Sequence, residues 1–280
     1  MSDDFRGKAV FITGASAGIG AGVAVAFARE GARVALAARR LDKLEAVKAR
    51  VEEAGGEALA VECDVTNRES IDAAVARTVE AFGGIDVAIA NAGFGVNGPF
   101  ERLTTGDYRR QFETNFFGLI DTAYATLPHL KASHGRLGLV ASVLGRVAAP
   151  TTSAYNASKF AVVGLAESIY YELADAGVSL TLIMPGVVES EFRRVDNSGA
   201  FREERIETAP SWLIVPTDRA ARDIVRAVRR RKPQAVITGH GKVMVALNRH
   251  FPRTLRTLMR LATRGRTEQL ANRRSKTGRE

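Results

Sequence analysis

Short apolar runs alternate with longer stretches of helical period along the first 240 residues of the chain. Residues 9–13, 33–38, 58–63 and 87–90 are rich in Ala, Val, Ile and Leu, and 136–141, 179–184 and a short run at 235–238 continue the series. Strands covered on both faces read this way because neither side meets water. Between them, residues 19–30, 42–54, 69–82, 106–112, 113–130, 154–174 and 220–231 repeat apolar positions every three or four residues. That is the period of a helix packed along one side. Gly31 stands where the first of these helices has to end. Regular strand–helix alternation predicts an α/β fold, a single doubly wound domain with a mostly parallel seven-stranded sheet and helices on both faces. No internal repeat, low-complexity linker or second domain interrupts it. The pattern breaks at 187–216, a long, irregular, charged segment after the sixth strand. Ligands in open α/β sheets bind outside the carboxyl ends of the strands, so this segment is expected to be a flap over a substrate.

Composition narrows the classes. A length of 280 residues with 46% apolar content suits one large domain with a sizeable core. The single cysteine, Cys63, excludes an internal disulfide, and four scattered histidines show no metal-ligand spacing. Residues 1–12 do not resemble a secretory leader, and no window approaches the roughly 20 apolar residues of a membrane span. A cytoplasmic location is the expectation. The net charge of +9 is unevenly spread: residues 219–280 carry 18 Lys/Arg against three Asp/Glu, whereas residues 1–218 carry 22 against 28. The basic character therefore belongs to the C-terminal part and says little about a catalytic body.

Candidate chemistry begins at the turn after the first strand, Thr13-Gly14-Ala15-Ser16-Ala17-Gly18-Ile19-Gly20. Gly14, Gly18 and Gly20 permit a tight turn and close approach of backbone to a ligand. Ser16 and Ile19 lie among them, at a helix N-terminus whose free N–H groups suit a pyrophosphate. The second strand ends in Arg39 and Arg40 with no carboxylate, a composition that accommodates the 2′-phosphate of NADP rather than a bare ribose. Asp64 and Val65 end the third strand, and Asn91-Ala92-Gly93 the fourth. Further on, Tyr155 and Lys159 stand one helical turn apart, with Ser142 upstream. A fixed positive charge beside a phenol favours the phenolate, which brings tyrosine towards useful general acid/base range.

Taken together these motifs resemble the short-chain dehydrogenase/reductase family, of the NADP-preferring type, over roughly residues 6–239. The resemblance implies a Rossmann-type fold, an NADP(H) cofactor and an enzyme acting on a small-molecule carbonyl or alcohol. It implies that Tyr155 exchanges the proton and that Lys159 lowers the tyrosine pKa and holds the nicotinamide ribose. Ser142 would bond the substrate oxygen, and Asn115 would help hold a water in a proton relay. Pro185, Gly186, Val188 and Ser190 would border the nicotinamide; the family more often has Thr where Ser190 stands, and Asn where Ala90 stands. A homodimer or homotetramer is the usual state. Leu144 and Phe192, with Phe94, Val96 and Trp212, suggest an apolar substrate pocket, although all are equally good core residues. Two other readings stay open: an NADPH-binding regulator or scaffold without turnover, and a peripheral membrane dehydrogenase of lipid or steroid alcohols.

Residues 241–280 read as a basic extension beyond the domain at 1–240. Arg253, Arg256, Arg260 and Arg264 share one helical face, Leu255, Leu258, Met259 and Ala262 the opposite one, and Pro252 starts the helix. Such a helix can pack on its own fold, on a partner subunit or on a membrane surface. No base-reading motif supports nucleic-acid binding. The polar stretch 269–280 reads as disordered.

Overall fold

The computed structural model describes residues 5–194, 196–198 and 210–263. The first half runs β1 (Ala9–Thr13), α1 (Gly18–Ala28), β2 (Arg33–Ala38), α2 (Leu41–Glu53), β3 (Glu57–Glu62), α3 (Arg68–Phe82) and β4 (Val87–Ala90). The second runs α4 (Thr105–Phe112), α5 (Gly118–Ser133), β5 (Arg136–Val140), α6 (Ser153–Asp175), β6 (Ser179–Met184), α7 (Thr217–Arg229) and β7 (Gln234–Val236). Two further helices, α8 (Gly239–His250) and α9 (Pro252–Thr263), end the described chain.

The strands form one seven-stranded sheet in the order β3-β2-β1-β4-β5-β6-β7. Every pairing is parallel, β7 included, so the sheet expected to be mostly parallel is parallel throughout. β1, β4 and β5 are buried at every residue, which is why they read as unbroken apolar runs. Two apolar cores lie against the sheet, one built with α1, α2 and α7, the other with α3, α5 and α6. α1 is buried almost all round because α7 packs on the side the sheet leaves open.

Strand order reverses between β1 and β4. The carboxyl ends diverge there and leave a crevice, the place where open sheets of this kind bind ligands.

Three departures from the sequence pattern have local causes. The helical stretch 105–133 carries a π turn at Glu113–Phe117 between α4 and α5, not a simple junction of two helices. β7 stops at Val236 because Thr238 is needed as the N-cap of α8, its hydroxyl accepting from Gly241 N–H at 3.3 Å. α8 itself escapes the reading because Gly239 and Gly241 occupy its first turn. The basic extension set apart at 241 thus begins inside a helix that touches the body: Gly241 packs on Val143, and Asn248 Nδ2 donates to the Arg146 carbonyl at 2.8 Å. In α9, Leu255 is buried and Met259 half-buried, whereas Leu258 is exposed and not on the packed side. Arg264 and the polar stretch 269–280 lie outside the described residues.

Candidate active site

A cleft of about 750 Å³ opens at the strand-order reversal. Its walls bring together the turn after β1, the ends of β2 to β6 and the start of the flap. Of the residues singled out from the sequence, Gly14, Ser16, Gly18, Ile19, Gly20, Arg39, Arg40, Asp64, Val65, Asn91, Ala92 and Gly93 line one part of it. Ser142, Leu144, Tyr155, Lys159, Pro185, Gly186, Val188, Ser190 and Phe192 line the rest.

The glycine turn is held from β4. Asn91 Nδ2 donates to the carbonyls of Thr13 at 2.9 Å and Gly14 at 3.2 Å. Thr13 Oγ1 in return accepts from the N–H groups of Asn91 and Ala92 at 3.1 and 3.3 Å. Gly14 sits at φ +67°, and a Cβ there would lie 2.7 Å from Ala92 Cα, so only glycine fits. The turn leads into the N-terminus of α1, whose N-cap Ala17 has no side-chain acceptor to offer. Its first N–H groups are thereby left for an anion. At the end of β2, Arg39 is exposed while Arg40 donates to Ser16 Oγ at 3.0 Å. Asp64 is engaged locally, Oδ1 accepting from Thr66 N–H at 3.0 Å and from the Thr66 hydroxyl at 2.8 Å.

α6 carries Tyr155 and Lys159 one turn apart, and the Lys159 Nζ lies 5.9 Å from the Tyr155 ring centre. The lysine is buried, its Nζ donating to the Val140 carbonyl at 2.8 Å. Burial pushes its pKa down to about 7. Ser142, at the end of β5, accepts from Leu144 N–H at 3.1 Å and donates to the Pro185 carbonyl at 3.4 Å. Phe192 meets the Tyr155 ring edge-on at 5.5 Å between centres, which makes the flap a wall beside the phenol.

Asn115 does not line the cleft. It is fully buried in the π turn, where Oδ1 accepts from Phe94 N–H and Nδ2 donates to the Phe94 carbonyl, both at 3.0 Å. A third bond runs from Nδ2 to Ser158 Oγ at 3.3 Å. Asn115 thus ties the loop after β4 to the helix that carries Tyr155 and Lys159. Of the suggested apolar lining, Phe94 reaches the cleft, Val96 is buried, and Trp212 is 81% exposed and does not line it.

The sequence reading passed over His240 and Glu191, both of which line the cleft. His240 Nε2 accepts from Val187 N–H at 3.1 Å and meets the Thr238 hydroxyl at 3.1 Å. Burial holds its pKa below the usual histidine value, in keeping with an acceptor nitrogen. Its approach also explains Gly186, where a Cβ would come 2.5 Å from Nε2. Farther along the flap, Asn97 N–H donates to Asn197 Oδ1 at 3.0 Å and Asn197 Nδ2 to the Asn97 carbonyl at 2.9 Å. Residues 195 and 199–209 of the flap lie outside the described residues. No cluster of His, Cys, Asp or Glu suited to a metal occurs among the described residues.

Known proteins share the fold that frames this cleft. The short chain dehydrogenase family model matches residues 8–200. An 11-beta-hydroxysteroid dehydrogenase from Pinus massoniana is 32% identical over 231 residues, 80% of this chain; the chain spans 65% of that relative's length. A short chain dehydrogenase/reductase from Burkholderia phymatum, solved in complex with NAD, superimposes with a TM-score of 0.79 at 25% identity, covering 90% of this chain and 96% of that one. An alcohol dehydrogenase from Thermococcus sibiricus, solved with 5-hydroxy-NADP, gives a TM-score of 0.70 at 28% identity, covering 82% of this chain and 96% of that one.

Proposed function

The chain belongs to the short-chain dehydrogenase family, and from that premise we propose an NADP(H)-dependent oxidoreductase that interconverts a carbonyl and a secondary alcohol, with Tyr155 as general acid and base. The observation that carries the reading is the meeting of Ser142, Tyr155 and Lys159 in one cleft with a glycine turn at a helix N-terminus. The groove fits a dinucleotide: Gly14 leaves a cradle that a Cβ would fill, and Arg39 and Arg40 stand where a 2′-phosphate would need cations. A bound nicotinamide supplies the hydride. Tyr155 gives its proton to the carbonyl oxygen while Ser142 holds that oxygen in place. Lys159 favours the phenolate only when charged, and its burial opposes that charge. Lys159 would be shared between the phenol and the nicotinamide ribose, so the Tyr155–Lys159 pair becomes fully competent when the groove is filled. Asn115 positions both residues through Ser158 and the Phe94 loop.

Two surfaces extend the reading. Exposed Phe117 and Tyr124, at and within α5, and Phe160 and Tyr171, on α6, offer apolar faces for a homodimer or homotetramer. Phe251, Leu258 and Leu261 are 60, 53 and 57% exposed beside Arg249, Arg253 and Arg256, and residues 239–263 contain no acidic residue. This surface favours an enzyme of lipid or steroid alcohols working at an anionic membrane face. No described helix is long and apolar enough to cross a membrane.

The test is a cofactor-oxidation screen of the full chain against aliphatic, aromatic and steroid ketones, with NADPH and NADH in parallel. Turnover with NADPH on apolar ketones is expected. Tight NADPH binding with no turnover on any carbonyl would favour the regulator reading instead.

A further inference from the structure

Glu191, the first residue of the short turn at Glu191–Arg194, projects from the flap across the mouth of the cofactor groove. Lys43 Nζ donates to its two carboxylate oxygens at 2.7 and 3.0 Å. Arg40 approaches one of those oxygens with Nη1 at 3.4 Å and Nη2 at 3.5 Å, and the same Nη2 donates to Ser16 Oγ. The carboxylate therefore occupies the Arg40 guanidinium at the corner between β2 and the glycine turn. Glu191, Ser190, Ser16 and Gly18 also border a second, outer cleft that includes Lys43, so the ion pair forms a strap between two openings.

We propose that Glu191 is a specificity-determining residue, an internal anion that competes with the 2′-phosphate of NADP(H) for Arg40. This rests on reading the Arg39–Arg40 corner as the phosphate site. The chemistry is symmetric: a guanidinium recognises a carboxylate and a phosphate through the same charge-assisted bonds. A ligand carrying the 2′-phosphate has to draw Arg40 away from Glu191, whereas a ligand lacking it leaves the strap intact. Glu191 thereby tempers the preference for NADP over NAD. It also links phosphate occupancy to the flap segment that carries Phe192, the wall beside Tyr155.

The pair is about one-third exposed on each side, so its influence is modest. The experiment measures dissociation constants of adenosine 2′,5′-bisphosphate and AMP for the full chain, wild type and Glu191→Gln. These probes lack the nicotinamide and do not depend on the substrate side of the flap. Glu191→Gln is expected to raise the discrimination ratio Kd(AMP)/Kd(2′,5′-bisphosphate) about two- to fivefold. A wild-type protein that favours the bisphosphate, with a ratio unchanged or lowered by Glu191→Gln, overturns the role of Glu191 alone. Equal binding of both probes by the wild type and by Glu191→Gln alike overturns the phosphate site itself, and the Glu191 role with it. Arg39→Ala in the same assay separates the two arginines, since only Arg40 touches Glu191.

Discussion

Lys159 shows how one side chain can be tuned in two directions. Its ammonium is the charge that would make Tyr155 a usable acid, yet its burial brings its own pKa to about 7. The folded pKa lies below the ordinary lysine value, so the unfolded chain binds the extra proton between about pH 7 and 10.5. Stability of the cofactor-free protein should therefore rise with pH across that window. Urea midpoints at pH 7 and pH 9 check this: the rise is expected in the wild type and reduced in Lys159→Met. The same pH response in both proteins would show that Lys159 is not the group responsible. At this scale most of the site could be read from the chain, because Gly14, Ser142, Tyr155 and Lys159 sit at spacings whose chemistry is local. His240 and Glu191 could not. Their partners, Val187 across 53 residues and Lys43 across 148, are brought near by the sheet and not by any sequence interval.

Among the elements, the strands were the most legible, since burial on both faces leaves an unmistakable apolar run. The helix ends were less so. The π turn at Glu113–Phe117 has no sequence signature, yet it decides where Asn115 points. Pattern alone gives Asn115 as a helix-interior residue; the turn makes it the clamp between the Phe94 loop and Ser158. Replacing it with alanine leaves the part-buried Phe94 N–H without its acceptor and breaks the tie to Ser158, while the Phe94 carbonyl keeps its bond from Gln111 Nε2 at 2.7 Å. Asn115→Ala is expected to cost about 1–2 kcal/mol of stability, read from urea unfolding. A loss below ~0.5 kcal/mol would mean that the clamp is dispensable. α8 was missed because glycines at its start hide a helix that tertiary contacts with Val143 and Arg146 support.

For the whole molecule, charge is the feature that composition reports and structure locates. The body is acidic on balance, and the cations gather in the last quarter of the chain, including the surface of α8 and α9. Half of the apolar stripe expected on α9 is covered, at Leu255 and Met259, and the helix packs on α8 while keeping Leu258 and Leu261 outside. If that surface meets an anionic membrane, the full chain should co-sediment with phosphatidylglycerol vesicles and not with phosphatidylcholine ones. Arg253→Gln with Arg256→Gln should weaken the association roughly thirtyfold, at about 1 kcal/mol per charge. Binding indifferent to lipid charge would contradict the proposal.

The central claim is that Tyr155 is the proton donor of a reductase and that its hydroxyl contributes little to NADPH affinity. Tyr155→Phe removes one hydroxyl and keeps the ring that packs against Phe192. Parallel measurement of NADPH dissociation and of turnover on the best ketone from the screen tests the claim most directly. Turnover should fall by at least about a hundredfold with NADPH affinity within about twofold of wild type. Turnover near the wild-type level would contradict the account.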